Sequence, residues 1–537
     1  MKNRRQSTLF LLATLSALML PAQSAAAPTP PSSSAPALQE AEEQQSPQVS
    51  PGEGGGDEES EAGWGDEDEA GWGEEEGSAD EGSDPFAEMA EIADQLPPPP
   101  PPPSPLRVDG FFRSQQALWA RRSGVDSFAK ARQSLDLSLR YKREAFRLTL
   151  EGHGEYDLAY QVDRDRFDDE QIEAYELRFL NGRQFLAYQA GQLELSAGRQ
   201  IITWGEGDGL SPLDVVNPRD QREPGAADVD DLRLAVLMSR LRWSAGAHDV
   251  DFFVVHESYF GEFVPPLADY SPFSAFIEGG GNPLIANFLE GRSARFDHAQ
   301  GRFSADQQSL FLRWSYRIPA VDLGLYGASL LDQQGVVLFE SAGLLQLPPG
   351  APLTLTLDHK RYQLAGVSAA TSFGPWLLKS EVAYRRDRAV NTGEPPSASG
   401  LPAPLGVERA DDLQLMAGLS YNGITDWTFA LEGQHGVPID APEGLLIPLE
   451  LTSISARVQA TLLRERLRLS AVGVMIRGGG EDRGGLARFE VSYDLSDPVA
   501  ASLAYVYYHD GAAFGPFYGF TDHDRLMASL RWDFTLY

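Results

Sequence analysis

The chain has 537 residues, no cysteine and a formal net charge of −34 at pH 7. Without cysteine it can form no disulfide, no zinc–thiolate site, no thiolate nucleophile and no cysteine-linked lipid anchor. Its acidic balance argues against nucleic acid as a partner, because binding phosphates requires a basic surface.

The first 27 residues follow the order of a secretory signal peptide. A basic head at residues 2–5 precedes an apolar run from Leu9 to Leu20, and mostly small residues follow from Ala22 to Ala27. The apolar run has about 12 residues, fewer than the roughly 20 that a spanning helix needs. We therefore expect residues 1–27 to be a cleaved export signal, with an N-terminal membrane anchor as the alternative.

The next segment, residues 28–105, is acidic and rich in proline. It contains 21 Asp and Glu but no Lys or Arg, and a run of seven prolines, Pro97–Pro103, lies near its end. This composition buries too little apolar surface to offset chain entropy, so we expect disorder on the periplasmic side of the membrane. The segment is either a solvated linker or a tether, in which residues 57–105 dock on a periplasmic or inner-membrane export partner.

From residue 106 to the end, short segments alternate apolar and polar side chains, as strands with two different faces do. In one of them, leucines at every second position from Leu135 alternate with Asp136, Ser138 and Arg140. Three features favour membrane strands over a soluble sandwich: segment lengths of about 9–13 residues, aromatic side chains near segment ends, and alternating short and long connections. Downstream of the signal, no apolar stretch is long enough for a helical span, so a membrane location requires a closed barrel.

We therefore predict an all-β fold over residues 106–537, a closed antiparallel transmembrane β-barrel of about 18 strands in the outer membrane of a Gram-negative bacterium. Sixteen strands is the alternative, because residues 183–192 are ambiguous. Turn residues at Asn181-Gly182 and Asn422-Gly423 mark two of the short connections. The predicted strands are 107–120, 133–141, 145–158, 172–180, 193–203, 232–243, 247–258, 307–316, 320–332, 359–372, 376–388, 411–421, 427–436, 451–463, 467–477, 486–495, 499–508 and 524–537.

The most distinctive stretch runs from Gly198 to Asp220, with the sequence GRQIITWGEGDGLSPLDVVNPRD. It resembles the signature of a family of uncharacterised Gram-negative outer-membrane barrels, the domain-of-unknown-function 1302 type. The resemblance implies an outer-membrane partner of exporters for hydrophobic or amphiphilic molecules. The matching positions are Gly198-Arg199-Gln200, Trp204-Gly205, Asp208, Asp214 and Asn217-Pro218-x-Asp220.

Physically, the same stretch predicts a strand that enters a structured loop, and three interpretations of this loop remain open. It folds on its own hydrogen bonds, or it folds into the pore and narrows it, or it binds calcium through Glu206, Asp208, Asp214 and Asp220. The spacing of these carboxylates is not that of a known calcium loop. We expect Arg199 to pair with one of the three aspartates.

Charged side chains within strands must face the lumen, because a basic residue at mid-membrane on the lipid face costs about 2–4 kcal/mol. They either set the field and width of a pore or simply cross-link neighbouring strands, and both roles are compatible. The predicted pore-lining residues, besides Arg199, Asp208, Asp214 and Asp220, are Arg140, Arg147, Glu151, Glu176, Arg178, Arg488, Glu490, Asp494, Arg531 and Asp533.

The long connection at residues 259–306 is unusually aromatic for an exposed loop. Such a surface would form an apolar patch, so the loop either packs into the barrel mouth or binds an apolar ligand. Its aromatic residues are Tyr259, Phe260, Phe263, Tyr270, Phe273, Phe276, Phe288 and Phe296.

The sequence contains no nucleophile elbow, zinc-protease motif, phosphate-binding loop or dinucleotide fingerprint, so we expect no enzyme activity, cofactor or metal site. Two functions remain. One is an outer-membrane channel or export conduit, with hydrophobic or amphiphilic solutes as the class that the resemblance implies. The other is a surface structural or adhesive barrel that displays its external loops. The expected partners are outer-membrane lipid and the barrel assembly machinery.

Overall fold

The computed structural model describes residues 104–123, 127–162, 164–225, 232–271, 292–338, 347–348, 350–393, 405–512 and 516–536. The predicted signal peptide lies outside the described residues. So does all but the last two residues of the predicted disordered segment, together with Phe273, Phe276 and Phe288 of the aromatic loop.

Twenty-one strands are described, and eighteen of them form one closed antiparallel sheet. Strands β8, β11 and β12 lie outside the barrel in a separate small sheet. In chain order the strands are β1 (Leu106–Trp119), β2 (Phe128–Arg143), β3 (Phe146–Asp157), β4 (Leu177–Ala190), β5 (Leu193–Gln200), β6 (Val236–Ala245), β7 (His248–Val255), β8 (Ala294–His298), β9 (Ser309–Ile318), β10 (Val321–Leu331), β11 (Val336–Leu338), β12 (Leu353–Asp358), β13 (Arg361–Phe373), β14 (Trp376–Thr392), β15 (Gly406–Ile424), β16 (Trp427–Asp440), β17 (Leu451–Leu462), β18 (Leu467–Gly478), β19 (Glu481–Ser496), β20 (Val499–His509) and β21 (Arg525–Thr535).

The first strand closes the barrel against the last. β1 pairs with β2 on one side and with β21 on the other, from Asp109 opposite Thr535 to Trp119 opposite Arg525. Closure leaves no sheet edge, so the backbone of every barrel strand finds its partners inside the protein, as a bilayer requires. The prediction of an 18-stranded closed barrel is confirmed.

The predicted alternation places apolar side chains on the outside. Leu312 and Phe489 are about half exposed to the surroundings, at 50% and 55%, whereas Glu490, next to Phe489, lies on the opposite face and is paired with Arg488. Apolar side chains exposed on strand after strand are stable only against lipid. The protein is therefore an integral outer-membrane barrel.

Connections at one end of the barrel are tight, and those at the other end are mostly long. The tight turns occupy residues 144–145, 191–192, 246–247, 319–320, 374–375, 425–426, 463–466 and 497–498. By the rule for outer-membrane barrels these turns face the periplasm. One external connection is equally tight: Gly479 and Gly480 join β18 to β19 with φ angles of 62° and 79°, which glycine adopts without strain.

The predicted fourth strand is wrong. Residues Asp169–Tyr175 form a helix, α2, which begins with a capping box between Asp168 and Gln171. The true fourth strand, β4, runs straight through Asn181-Gly182, where a turn was expected. Here β4 bulges, because Gly182 and Arg183 lie opposite the single residue Glu151 of β3, and a Cβ on Gly182 would lie 2.8 Å from the Glu151 Cβ. The glycine therefore accommodates a bulge rather than a turn. The turn expected at Asn422-Gly423 lies three residues later, at residues 425–426, after another register shift.

The external loops carry further secondary structure. A short helix, α1 (Ala159–Val162), precedes α2, and 3-10 turns occupy Arg164–Arg166, Ala305–Gln307 and Phe520–Asp522. In the small sheet, β12 pairs in parallel with β8 and antiparallel with β11. No helix in the described part of the chain is long and apolar enough to cross a membrane.

A charge on the outer face should destabilise the barrel. We expect Leu312→Arg to lower the free energy of unfolding by about 2–4 kcal/mol, because Leu312 lies mid-strand on the lipid-facing side. Urea titration in lipid vesicles measures this loss. Leu312→Ala is the control that removes apolar area without adding charge, and an arginine variant no less stable than the alanine variant would contradict the lipid-facing assignment.

Candidate functional site

The loop between β5 and β6, residues 201–235, begins and ends beside the barrel wall. Asn217 fixes both ends: its Oδ1 accepts from the Ile202 N–H at 2.8 Å, and its Nδ2 donates to the carbonyls of Gln200 and Leu234 at 3.0 and 2.9 Å. Because Asn217 is buried, these bonds replace water at three backbone groups. The asparagine of the distinctive stretch thus holds the two strands and the loop together.

Trp204 attaches the loop to the inner wall. It is fully buried and packs edge-on against Phe253, Phe311 and Tyr326, with ring centroids 5.2–5.6 Å apart. These partners lie on β7, β9 and β10. Edge-on aromatic pairs are favourable beyond the area they bury, so this cluster fixes the direction in which the loop enters the lumen.

Two carboxylates farther round the wall hold the tip of the loop. Glu381 on β14 and Glu432 on β16 together accept six backbone N–H bonds at 2.5–3.3 Å. The donors are Glu206, Gly207 and Leu213 for Glu381, and Asp208, Gly209 and Leu210 for Glu432. Buried amides require acceptors, and a carboxylate is a strong one, so the tip is fixed where the wall supplies both.

The positions of these strands show that the loop crosses the lumen. Counting from β5 around the sheet, β14 is the sixth strand and β16 the eighth, and nine strands would reach the opposite wall. An ion pair of 2.6 Å between Asp208 and Lys379 of β14 adds to the contact. Gly205, with φ of 85°, is required here, since a Cβ would lie 2.6 Å from the Glu381 carboxylate. We call residues 201–225 the constriction loop.

The loop then returns to a second anchor at the other side of the barrel. The buried carboxylate of Glu223 contacts Lys130, Arg132 and Arg525, which lie on β2 and β21. Burial alone would raise the pKa of Glu223, but the cations outweigh it and hold this pKa well below its usual range. The Tyr508 hydroxyl donates to the Pro224 carbonyl beside it. The constriction loop is therefore tied to the wall on two sides.

The three aspartates of the loop bind three different sets of cations. Asp208 pairs with Lys379, Asp214 with Arg219 and Arg233, and Asp220 with Arg222. The structure does not bring them together around one point, as a calcium site would require. Among the described residues, no three His, Asp or Glu side chains are grouped so that they could hold a metal ion.

The expected pairing of Arg199 with one of these aspartates is wrong. Its guanidinium binds Glu257, just beyond the end of β7, at 2.7 Å, and donates to the Ala235 carbonyl at 3.0 Å. Glu257 also binds Arg302. Burial raises the pKa of Glu257, but hydrogen bonds from the two arginines outweigh burial and leave this pKa lowered.

Most of the predicted lumen charges are paired along the wall. Arg140 binds Asp109, Arg147 binds Glu194, Glu151 binds Arg183, Arg178 binds Glu262, Asp494 binds Arg468, Arg488 binds Glu490 and Arg531 binds Asp533. Glu176 was wrongly placed on a strand: it is the C-cap of α2 in an external loop and binds Arg164. Three of the pairs, those of Arg140, Glu151 and Asp494, cross-link neighbouring strands. Arg147 of β3 reaches Glu194 of β5 across β4, and Arg178 binds Glu262 in an external loop. Arg488 and Arg531 each pair with a residue two positions along the same strand.

The residues that hold the constriction loop were not predicted. Glu381, Glu432 and Lys379 share the period-two pattern of every other inward side chain, so nothing marks them in the sequence. Glu223 lies in a loop three residues beyond the distinctive stretch and has no sequence signal of its own.

Part of the aromatic loop fills the external mouth on the β1 and β21 side. Tyr270 is buried against Trp119, Tyr508 and Phe520, with ring centroids 5.6–6.0 Å apart. The Arg525 guanidinium lies 4.8 Å from the centre of the Tyr270 ring. Of the two interpretations of the aromatic loop, packing into the barrel mouth therefore holds for Tyr270.

A histidine pair links the small external sheet to the barrel wall. His298 Nδ1 lies 2.9 Å from His359 Nε2, and His359 Nδ1 lies 2.7 Å from the Asp332 carbonyl. The Phe260 ring stacks on His359 at 3.4 Å between centroids. Burial lowers the pKa of His359 to about 4 and lowers that of His298 as well, so both rings are neutral at pH 7.

The model of the family described as "Protein of unknown function (DUF1302)" matches residues 125–437, more than half of the chain. The chain belongs to this DUF1302 family. The matched residues include the constriction loop and both carboxylates that hold its tip. No curated protein matches the sequence.

Solved structures similar to this DUF1302 barrel come from Pseudomonas aeruginosa and Acinetobacter baumannii, and one of them is described as an outer-membrane protein, OpdK. OpdK of Pseudomonas aeruginosa is 11% identical, with a TM-score of 0.45 over 80% of this chain and 99% of its own. OccK11 (OpdR) of the same organism is 13% identical, with a TM-score of 0.43 over 80% and 96%. OccAB3 of Acinetobacter baumannii is 10% identical, with a TM-score of 0.43 over 80% and 99%.

Weakening one acceptor should loosen the tip of the constriction loop. We expect Glu432→Gln to lower the free energy of local opening at residues 208–210 by about 1–3 kcal/mol, because an amide NH2 then faces a backbone N–H. Hydrogen exchange of these amides measures the change. Glu194→Gln, a wall carboxylate bound to Arg147, is the control. Equal exchange rates in the two variants would show that Glu432 does not hold the tip.

The histidine pair predicts acid sensitivity of the small sheet. A histidine whose pKa is about 4 when folded and 6.5 when free loses its stabilising effect as the pH falls from 6.5 towards 4. Asp332 and Asp358 face His359, and Asp297 and Glu262 face His298; these carboxylates oppose the shift without cancelling it.

We therefore expect the amides of β8 and β12 to lose protection between pH 7 and pH 5, after correction for intrinsic exchange. Hydrogen exchange with mass spectrometry gives this comparison directly. In His359→Gln the loss should shrink, whereas in His248→Gln, at the periplasmic end of β7, it should persist. Protection independent of pH in the unmodified protein would rule out the effect.

Proposed function

We propose that the protein is an outer-membrane channel narrowed by its constriction loop, and that it serves as an export conduit for amphiphilic solutes. One observation carries the proposal. The loop starts at the end of β5, and its tip is bound by the carboxylates of Glu381 and Glu432, which lie six and eight strands away. An 18-stranded barrel is wide enough for an aqueous lumen, and a loop fixed across it sets the width of the path.

The inward course of the loop favours a conduit over a display scaffold. A loop that serves for adhesion has its contact residues outside the barrel, whereas Trp204, Leu213 and Val216 of this loop are buried against the inner wall. The lumen wall also carries many paired charges, which keep a path hydrated without a strong net field.

The choice of solute class depends on what lines the space beside the loop. A cavity of about 210 Å³ lies between the loop and the external halves of β14 and β15. Apolar side chains such as Val390 and Leu446 line it together with polar ones such as Arg388 and Gln434. A mixed lining favours an amphiphile over a purely hydrophobic solute. The outward direction of transport rests on the resemblance to exporter-associated barrels.

Ion conductance tests the proposal. We expect the purified full-length protein to form channels in planar bilayers, and Glu381→Gln/Glu432→Gln to raise the single-channel conductance, because the loop tip then loses its two main acceptors. Glu194→Gln/Glu490→Gln, which alters two wall carboxylates that do not contact the loop, should leave the conductance nearly unchanged.

The outcomes separate the two functional classes. Absence of current in both the unmodified protein and the Glu381→Gln/Glu432→Gln variant would refute the channel and favour a display barrel. Current that is the same in both would refute the role of the loop as the constriction.

A further inference from the structure

The residues that line the cavity beside the constriction loop indicate which kind of solute headgroup it can bind. This inference rests on the proposed channel function. The cavity is bounded by the loop, the segment 332–336 after β10, the inner faces of β14 and β15, and residues 446–449. It combines two kinds of surface, which we consider in turn.

The charged groups at the cavity are balanced pair by pair. Arg388 binds Asp332 at 2.9 Å, and Arg219 binds Asp214 at 2.6 Å. Arg385 donates to both oxygens of the fully buried Asp412 at 3.0 and 3.1 Å. Each guanidinium that lines the cavity therefore already has a carboxylate.

The donors of Arg388 are also engaged within the protein. Its Nη2 donates to Gln334 Oε1 at 2.8 Å, while its Nε donates to Asp332. Asp332 in turn accepts from the Gln334 N–H at 3.0 Å. An anionic headgroup would have to displace a buried carboxylate, and a cationic one would meet three arginines, so both carry an electrostatic cost.

Uncharged hydrogen-bonding groups complete the polar side. The amides of Gln333, Gln414 and Gln434 line the cavity with donors and acceptors that carry no net charge. Gln414 donates to Asp412 at 2.6 Å and accepts from Gln434 Nε2 at 3.1 Å, and Gln333 donates to the Val215 carbonyl at 2.9 Å. These bonds fix the orientation of the three amides. Hydroxyl or amide groups of a ligand match such a surface, because they both donate and accept.

Apolar side chains complete the lining of the cavity. Val336, Val390, Leu446, Leu449 and Ile476 contribute to it, and all five are buried. An alkyl chain or ring placed there is removed from water, at roughly 25 cal/mol per Å² of apolar area.

We propose that this cavity binds amphiphiles with an uncharged headgroup that bears hydroxyl or amide groups, and selects them over charged amphiphiles of equal chain length. The amide side chains bind the headgroup, and Val390 and Leu446 contact the apolar part of the amphiphile. The ion pairs of Arg388, Arg385 and Arg219 act against charged competitors.

Blockade of single-channel current by three probes tests the proposal: hexyl glucoside, hexyl sulfate and hexyltrimethylammonium, which share one chain length. We expect hexyl glucoside to block at a lower concentration than either ion. Hexyl sulfate that blocks as well or better would overturn the headgroup assignment, as would blockade by the cation. Current that none of the three affects would overturn the cavity as a solute site. Absence of any current would instead refute the channel itself.

A single substitution should reverse the preference. Asp332→Asn keeps the side-chain volume and the acceptor for the Gln334 amide but leaves Arg388 without its carboxylate. We expect hexyl sulfate to block this variant on the order of tenfold more strongly than the unmodified channel, as one charge-assisted hydrogen bond implies. Asp249→Asn, which removes a carboxylate beside Arg242 and Arg313 near the periplasmic turn at 246–247, should not change the preference. An unchanged order of blockade in Asp332→Asn would contradict the charge-balance argument.

Leu446→Asn gives an independent reading should Asp332→Asn fail to assemble. It replaces an apolar lining residue by a polar one of similar size, so hexyl glucoside should block the variant more weakly than the unmodified channel. Undiminished blockade in this variant would overturn the apolar half of the site. A difference in gel migration between unheated and heated samples confirms that each variant is a folded barrel.

Discussion

Six backbone N–H groups of one loop point at two carboxylates on a distant part of the wall, and the interior of the barrel is organised around that contact. Buried amides without acceptors are costly, and within the lumen Glu381 and Glu432 supply the acceptors. The position of the loop tip therefore follows from the positions of two wall residues. The cavity beside the loop exists because the tip is held at this place.

The barrel contacts lipid on its outer face and a polar lumen on its inner face, and the side chains on the two faces differ for this reason. Outward positions expose leucine, phenylalanine and valine to lipid, whereas inward positions carry arginine, aspartate and glutamate in pairs. Because the charges neutralise each other locally, a polar lumen is obtained without a strong field of one sign. The same pairing gives the cavity near Arg388 its expected preference for uncharged headgroups.

The barrel could be predicted from the sequence because a period-two pattern is local. All eighteen strands but the fourth were placed correctly, and that one failed because Asn181-Gly182 serves a bulge beside Glu151 instead of a turn. The site could be predicted only in part. Glu206 and Glu381 are 175 residues apart, and Asp208 and Glu432 are 224 apart, so no local pattern relates them. Arg199 was assigned the nearest aspartates, whereas the fold brings it to Glu257.

The order of the chain adds a consequence for biogenesis. Translation and export deliver the constriction loop long before β14 and β16, which carry its acceptors, and before β21, which carries Arg525 of the second anchor. The loop can reach its final contacts only once the later hairpins have curved around it. β1 and β21 must therefore pair around a lumen that already contains the constriction loop. An assembly intermediate trapped before that step would expose the loop to proteases.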